Sequence, residues 1–216
     1  GIGYSIHWRI DYEGALKLLS ESGFKNMRIE IGWSSVPWDE NKLNNEEVFI
    51  NIFKTCKKYG IKPLILLNAH HGYPCPMKYM SGEILEDANS GVREIKIKVN
   101  GEIKEGYTAL TNLKTKDPSH FCSDTFIIKY DGEKPTLSRP LLVDFKKGDK
   151  VQLRTYKYLP AHPVGTKEFE EMAEGWMKYV KLVCDTVKKA GLFDNEFEIE
   201  IWNELSFGSM FMGTWG

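Results

Sequence analysis

The stretch Ile61-Lys-Pro-Leu-Ile-Leu-Leu67 is a nearly continuous apolar run, and it decides the fold that we predict for this chain. Runs of this kind are typical of strands that are buried on both faces of a parallel sheet. Between Asn45 and Gly60, just before this run, apolar residues recur at the spacing of an amphipathic helix. The order of helix and buried strand indicates an α/β protein.

The same alternation is found upstream of this strand. Residues 2–8 resemble a short strand, and Asp11 is placed to cap a helix over residues 12–22. Residues 26–32, Asn-Met-Arg-Ile-Glu-Ile-Gly, then form a β-type run. The first part of the chain therefore has the order β-α-β-α-β.

The alternation resumes near the end of the chain. Thr166 is placed to cap a long helix that ends at Gly191, and Phe197-Glu-Ile-Glu-Ile-Trp-Asn-Glu204 is a strand running into a polar tip. We therefore predict an α/β fold of the (β/α)8 TIM-barrel type, with about the first four βα units present. The rival is an open doubly wound sheet, but no Gly-rich phosphate turn follows the first strand.

Residues between the third strand and the last helix have a different character. Turn signals such as Asn100-Gly101 and Asp131-Gly132 divide them into short segments. The β-type runs between these turns cover residues 92–99, 125–130, 141–145 and 151–158. We predict an inserted antiparallel β subdomain over residues 81–163. Residues 1–80 are then the first βαβαβ part of the barrel, and residues 164–216 hold the third helix and the fourth strand.

Composition and charge exclude several classes of protein. Apolar residues are 42% and charged residues 27% of the 216-residue chain, as in ordinary globular proteins. Lys plus Arg is 29 and Asp plus Glu is 30, so the basic excess of a nucleic-acid-binding protein is missing. No apolar run approaches the roughly 20 residues of a membrane helix. We expect no cofactor, no metal, no nucleic acid and no membrane as partners.

The two ends of the chain suggest that it is a piece of a longer protein. It starts at Gly1 without a signal peptide, and it stops at Gly216 shortly after a dense motif. If a leader had been removed, an extracellular location would be favoured. A second chain that completes the barrel is a further expected partner.

Polar and aromatic residues gather where the predicted strands end. The C-terminal ends of the strands build the active sites of (β/α)8 barrels, so we take these residues as a candidate site. Trp and Tyr rings stack against the C–H faces of sugar rings, which makes an oligo- or polysaccharide the expected ligand. The candidate residues at these strand ends are His7, Trp33, His70, Tyr73, Trp202, Asn203 and Glu204.

Side-chain alternation adds Arg28 to this site. Arg28 and Glu30 share one face of the second strand, and the apolar Met27, Ile29 and Ile31 share the other. An interior charge has to be paired or hydrogen-bonded. We therefore predict that Arg28 pairs with a carboxylate, either Glu30 or Glu200.

The tripeptide Trp202-Asn203-Glu204 resembles the signature of the clan A glycoside hydrolases, the retaining (β/α)8 enzymes that include families 5 and 39. Residues 27–33, Met-Arg-Ile-Glu-Ile-Gly-Trp, are similar to the second-strand pattern whose Arg supports the active site. Asn68-Ala69-His70-His71 resembles the family 5 third-strand Asp-x-His pattern, with Asn68 in place of the Asp.

The resemblance implies a glycoside hydrolase that cleaves β-glycosidic bonds with retention. Glu204 would be the general acid/base, Asn203 would hydrogen-bond the sugar 2-hydroxyl, and His70 would face the substrate. Retention requires two carboxyl groups about 5–5.5 Å apart. The nucleophilic Glu is expected in a missing C-terminal half of the protein.

Two other functions remain open at this point. The aromatic strand ends could hold a glycan without cleaving it, which would make the chain a non-catalytic carbohydrate-binding protein. Alternatively, the chain could be an inactive half-barrel that assembles with itself or with a partner, since open sheet edges favour association.

Overall fold

The computed structural model describes residues 2–3, 11–69, 74–111, 125–159 and 162–202. These residues fall into two compact units. The first, which we call the parallel unit, takes residues 2–69 and 173–202. The second, the antiparallel unit, takes the described residues from 74 to 172.

The parallel unit is built on a four-stranded sheet that is entirely parallel within the described residues. Its strands, in spatial order, are β1 (Ile2–Gly3), β2 (Asn26–Gly32), β3 (Lys62–Asn68) and β10 (Glu198–Ile201). Its α-helices are α1 (Tyr12–Glu21), α2 (Glu46–Lys58) and the part of α3 (Lys167–Lys189) from Ala173 onward. A 3₁₀ turn, Trp33–Ser35, directly follows β2.

The antiparallel unit contains a six-stranded sheet. Its strands, in chain order, are β4 (Met77–Ile84), β5 (Ile97–Asn100), β6 (Thr108–Thr111), β7 (Thr125–Tyr130), β8 (Pro135–Leu137) and β9 (Lys150–Tyr156). Their spatial order among the described residues is β5-β4-β9-β6-β7-β8. The unit has its own hydrophobic core, centred on Ile84, Leu110, Ile127 and Leu153.

Local signals in the sequence account for the starts of α1 and α3. Asp11 caps α1 as predicted, because its Oδ1 accepts a hydrogen bond of 2.9 Å from the Gly14 N–H. Thr166 Oγ1 accepts from the Phe169 N–H at 3.3 Å, which is the predicted cap of α3. Asn45 precedes α2 with a left-handed backbone, φ 57°, and its side chain makes no capping hydrogen bond. Asn tolerates that conformation better than most residues.

The predicted (β/α)8 TIM-barrel fold with four βα units is wrong. Three α-helices and four parallel strands are found in the part of the chain that the structure describes, and six further strands pair antiparallel. Three helices do not make four βα units. The physical reason is that the residues between β3 and α3 bury their own apolar side chains in a separate sheet, so most strands belong to an antiparallel layer.

The sequence patterns found only part of this second sheet. The predicted β-type runs over residues 92–99, 125–130 and 151–158 overlap β5, β7 and β9. Residues 141–145 were also predicted as β-type, but only Phe145 forms a bridge, with Ala88. The longest strand, β4, shows no clear alternation. The domain bounds 1–80, 81–163 and 164–216 stay a prediction.

Candidate functional site

The two faces of the parallel sheet carry different side chains, apolar on one and largely polar on the other. Met27, Ile29 and Ile31 of β2 are buried, while Arg28 is half-buried and Glu30 is exposed. In the parallel register, Glu30 and Glu200 both lie opposite Leu66, so the two carboxylates share the second face. We call this second face, with Arg28, Glu30, Asn68 and Glu200, the polar face.

Arg28 pairs with Glu200 across β3. Its Nε donates to Glu200 Oε2 at 2.7 Å, and its Nη2 donates to Glu200 Oε1 at 2.8 Å. The two side chains are 32% and 34% exposed. The hydrogen bonds from Arg28 hold the pKa of Glu200 below its ordinary value, although partial burial acts in the opposite direction. The predicted pairing of Arg28 with a carboxylate is confirmed, and the partner is Glu200.

Glu30 has a different partner. Its Oε1 accepts a hydrogen bond of 3.0 Å from Asn68 Nδ2. Asn68 is the last residue of β3 and is 8% exposed, so its amide is held inside the protein while Glu30 reaches the surface. An Asp at position 68 would face the Glu30 carboxylate with a second negative charge, whereas Asn donates a hydrogen bond to it.

A tyrosine from α3 fixes the ends of β2 and β3. Tyr179 Oη accepts from the Asn68 backbone N–H at 3.2 Å and donates to the Ile31 carbonyl. The ring is fully buried, and this burial raises the pKa of Tyr179. The hydroxyl therefore stays protonated and joins the two strand ends through one side chain.

Aromatic rings cluster beside this hydroxyl. The Trp33 ring stacks on Tyr179 with 6.3 Å between centroids and meets Trp176 edge-on at 5.2 Å. Trp202 follows β10 with φ 71°, and its ring lies 5.8 Å from that of Trp176. Trp33 is only 3% exposed, and its ring packs against those of Tyr179 and Trp176. Contact of Trp33 or Trp202 with a sugar stays a prediction.

Several predicted site residues lie outside the described residues. These are His7, His70, Tyr73, Asn203 and Glu204. The structure describes the strands next to them: Asn68 ends β3 two positions before His70, and Glu200 lies on β10 four positions before Glu204. Their proposed roles depend on the chain order and the resemblance.

Sequence reasoning missed Tyr179. It lies three positions after Trp176 and four before Val183, which is the spacing of the buried face of α3. A buried tyrosine has to find a partner for its hydroxyl, and this requirement is the signal that could have marked it. Which backbone groups it would meet depends on how α3 packs on the sheet.

Within residues 11–69, 74–111, 125–159 and 162–202, no group of three or more His, Cys, Asp or Glu side chains could hold a metal ion. None of the helices in that part of the chain is long and apolar enough to cross a membrane.

Comparisons with known proteins give partial matches. The chain is 35% identical over 77 residues to a 6-phospho-beta-glucosidase of Clostridium longisporum, which is 34% of this chain and 16% of that protein. It is 38% identical over 60 residues to the 6-phospho-beta-glucosidase AscB of Escherichia coli (strain K12), which is 26% of this chain and 13% of that protein. The chain therefore matches less than a fifth of the length of these relatives. No protein-family model matches.

The comparison with solved structures gives a match to the Gp54 tailspike of Acinetobacter baumannii bacteriophage AP22 in complex with A. baumannii capsular saccharide. The match covers 69% of this chain and 25% of the tailspike, with 8% identity and a TM-score of 0.29, a value too low to support an argument. The predicted resemblance is thus supported by the two sequence relatives, at the level of glycoside hydrolases. Clan A and families 5 and 39 stay predictions.

Proposed function

We propose that this chain is part of a β-glycoside hydrolase. The observation that carries the proposal is the partial similarity to two 6-phospho-beta-glucosidases, at 35% and 38% identity. The polar face of the parallel sheet supports it, because fixed carboxylates and amides are the groups that bind sugar hydroxyls. The two relatives make β-glucosides and 6-phospho-β-glucosides the first substrates to test.

In this proposal Glu204 is the general acid/base. It would protonate the glycosidic oxygen in the first step and deprotonate a water molecule in the second. The two-bond contact between Arg28 and Glu200 anchors β10 four residues before Glu204, and so restrains the strand that leads to it. Arg28 therefore acts here as a positioning residue.

The finer part of the proposal is net retention. A retaining mechanism requires a second carboxylate as the nucleophile, about 5–5.5 Å from the acid/base. We propose that a Glu outside these 216 residues supplies it, as the resemblance implies. Asn203, His70, His7 and Tyr73 are proposed to contact the sugar.

The first experiment measures hydrolysis by the full-length protein. 4-Nitrophenyl β-D-glucopyranoside and its 6-phosphate are the substrates, and the anomeric form of the first product is followed by proton NMR. Release of the β-anomer first supports a retaining β-glycosidase, and release of the α-anomer overturns retention. Binding of these sugars without turnover would favour the carbohydrate-binding alternative.

The second experiment tests Glu204. The variant Glu204→Gln is expected to lose a factor of about 10²–10⁴ in kcat on glycosides with poor leaving groups, since general acid catalysis contributes this much. An activated 2,4-dinitrophenyl glycoside is expected to lose far less, because its leaving group needs no proton. The matched control is Glu198→Gln on β10, an exposed carboxylate paired with Lys62. Equal activity of Glu204→Gln and the control on both substrates would contradict the role.

A further inference from the structure

Glu30 differs from the β10 carboxylates Glu198 and Glu200 in what it contacts. Glu200 is occupied by Arg28, and Glu198 pairs with Lys62 at 2.8 Å. In the described part of the chain, Glu30 has no ion-pair partner and accepts one hydrogen bond, from Asn68 Nδ2. A carboxylate offers about four acceptor positions, so most of its capacity is unused.

The position of this carboxylate is nonetheless restrained. Asn68 is buried, and its own backbone N–H donates to Tyr179 Oη, which in turn donates to the Ile31 carbonyl next to Glu30 in sequence. The hydrogen bonds thus connect α3, the end of β3 and the end of β2. An exposed glutamate side chain usually samples several rotamers, and a partner fixed in this way limits that freedom.

A restrained, exposed acceptor that has no ion-pair partner among the described residues is suited to a ligand rich in hydroxyl donors. Neighbouring hydroxyl groups of a sugar ring can each donate to one oxygen of the same carboxylate, and hydrogen bonds to a charged group are about twice as strong as neutral ones. A divalent cation such as Ca²⁺ takes six or more oxygen ligands. The described residues offer it one carboxylate here, because Arg28 occupies Glu200.

We propose that Glu30 binds two neighbouring hydroxyl groups of the sugar substrate, and that Asn68 holds the Glu30 carboxylate in place for this contact. The assignment rests on the proposed function, because it takes a glycoside as the ligand. Glu30 is a substrate-binding residue in this proposal, and Asn68 is a positioning residue that acts through it.

The test uses Glu30→Ala and Glu30→Gln in the full-length protein, with Glu198→Gln as the matched control on the same face of the sheet. Binding of methyl β-D-glucopyranoside and its 6-phosphate is measured by calorimetry, independently of turnover. We expect Glu30→Ala to weaken binding about 10- to 100-fold, the range for losing hydrogen bonds to a charged group. The control is expected to bind within twofold of the wild type.

Kinetics separate a binding role from a structural one. Loss of a contact made equally in the ground state and transition state raises KM and leaves kcat nearly unchanged. Deoxy analogues of the glucoside, each lacking one ring hydroxyl, identify the groups bound. Two of these analogues are expected to bind the wild type more weakly than the parent glucoside does. The substitution Glu30→Ala is expected not to weaken the binding of these two analogues any further.

The variant Asn68→Ala tests the positioning role. It is expected to weaken binding by less than Glu30→Ala, and the double variant is expected to bind like Glu30→Ala alone, because Asn68 acts through the same carboxylate. Fully additive losses in the double variant would overturn the coupling. Circular dichroism of each variant checks that it is folded.

The outcomes also separate this proposal from the proposed function. If the wild type binds the glucosides without hydrolysing them and Glu30→Ala loses that binding, the assignment of Glu30 stands and the hydrolase proposal fails. If Glu30→Ala binds like the wild type, or if no glucoside binds the wild type, the assignment is overturned. A loss of kcat above about 1,000-fold that azide restores by displacing the leaving group to form the α-glycosyl azide would make Glu30 a nucleophile, which also overturns it.

Discussion

The contact between Arg28 and Glu200 affects the geometry of the parallel sheet, its stability and the pH dependence of that stability. The guanidinium and the carboxylate form two hydrogen bonds between β2 and β10, although β3 lies between these strands. Such paired bonds set geometry as well as energy, because the planar groups have to face each other. About a third of each side chain is exposed, so solvent weakens the electrostatic attraction.

We predict that Arg28→Ala lowers the free energy of unfolding by about 1–2 kcal/mol at neutral pH, since it leaves the Glu200 carboxylate without its donors. The folded-state pKa of Glu200 is below its ordinary value of 4.5, mainly because of the hydrogen bonds from Arg28. Its contribution is therefore fully present above pH 4.5 and is lost as the pH falls through the folded-state pKa.

Urea unfolding of the wild type and Arg28→Ala at pH 7 and at about pH 3 checks this prediction. The difference between the two proteins is expected to shrink at the lower pH. Lys62→Ala, which removes the more exposed pair with Glu198, is the control and is expected to change stability by less than about 0.5 kcal/mol. A difference that grows on acidification would contradict the assignment.

Tyr179 joins helix α3 to the sheet, so this helix fixes the relative positions of strands β2 and β3. The hydroxyl lies between the ends of β2 and β3, where the Asn68 N–H and the Ile31 carbonyl bond to it. Without the hydroxyl, these two backbone groups would have to form hydrogen bonds with each other or with water. The positions of these strand ends, which bring Asn68 and Glu30 together, therefore depend on how α3 packs on the sheet.

We predict that Tyr179→Phe lowers the free energy of unfolding by about 1–3 kcal/mol, the cost of leaving buried polar groups without a partner. Chemical denaturation gives the change, and amide exchange of Asn68 is expected to become faster. The matched control is Tyr130→Phe, because the Tyr130 hydroxyl donates at an exposed turn to the Gly132 carbonyl at 2.6 Å. Unchanged stability and unchanged exchange would show that the strand ends close on each other without the hydroxyl.

Strand β4 shows why elements of the second sheet were harder to predict than those of the first. Its sequence, Met-Lys-Tyr-Met-Ser-Gly-Glu-Ile, contains Gly and Ser and lacks a clean alternation of apolar residues. Gly82 fits because a Cβ there would lie 2.9 Å from Ile97 Cδ1 and 3.0 Å from Leu153 Cδ1. That tight packing comes from β5 and β9, which are distant in sequence, so no local pattern reveals it.

On the scale of the whole chain, each of the two units has its own hydrophobic core. In the parallel unit, Ile29, Ile65 and Val183 are buried, and in the antiparallel unit Leu153 and Leu110 are buried. We therefore expect a substitution in the core of one unit to destabilise mainly that unit.

We predict that Leu153→Ala costs about 2–5 kcal/mol of stability, as expected for a fully buried leucine. Hydrogen exchange followed by mass spectrometry is expected to show the loss of protection in β4, β6 and β9, while β2 and β3 change little. Ile65→Ala is the reciprocal variant and is expected to affect β2 and β3. Equal loss of protection in both units with either variant would show that they unfold as one.

Local patterns in the chain were enough to predict the caps of α1 and α3, the buried strand β3 and the alternation that puts Arg28 and Glu30 opposite the apolar face. These features depend on spacing within a few residues, which the linear order contains. The choice of Glu200 as the partner of Arg28, the contact of Asn68 with Glu30 and the insertion of Tyr179 between two strand ends arose only from folding. They join residues up to 172 positions apart, and sheet register and helix packing, not local propensity, bring such groups together.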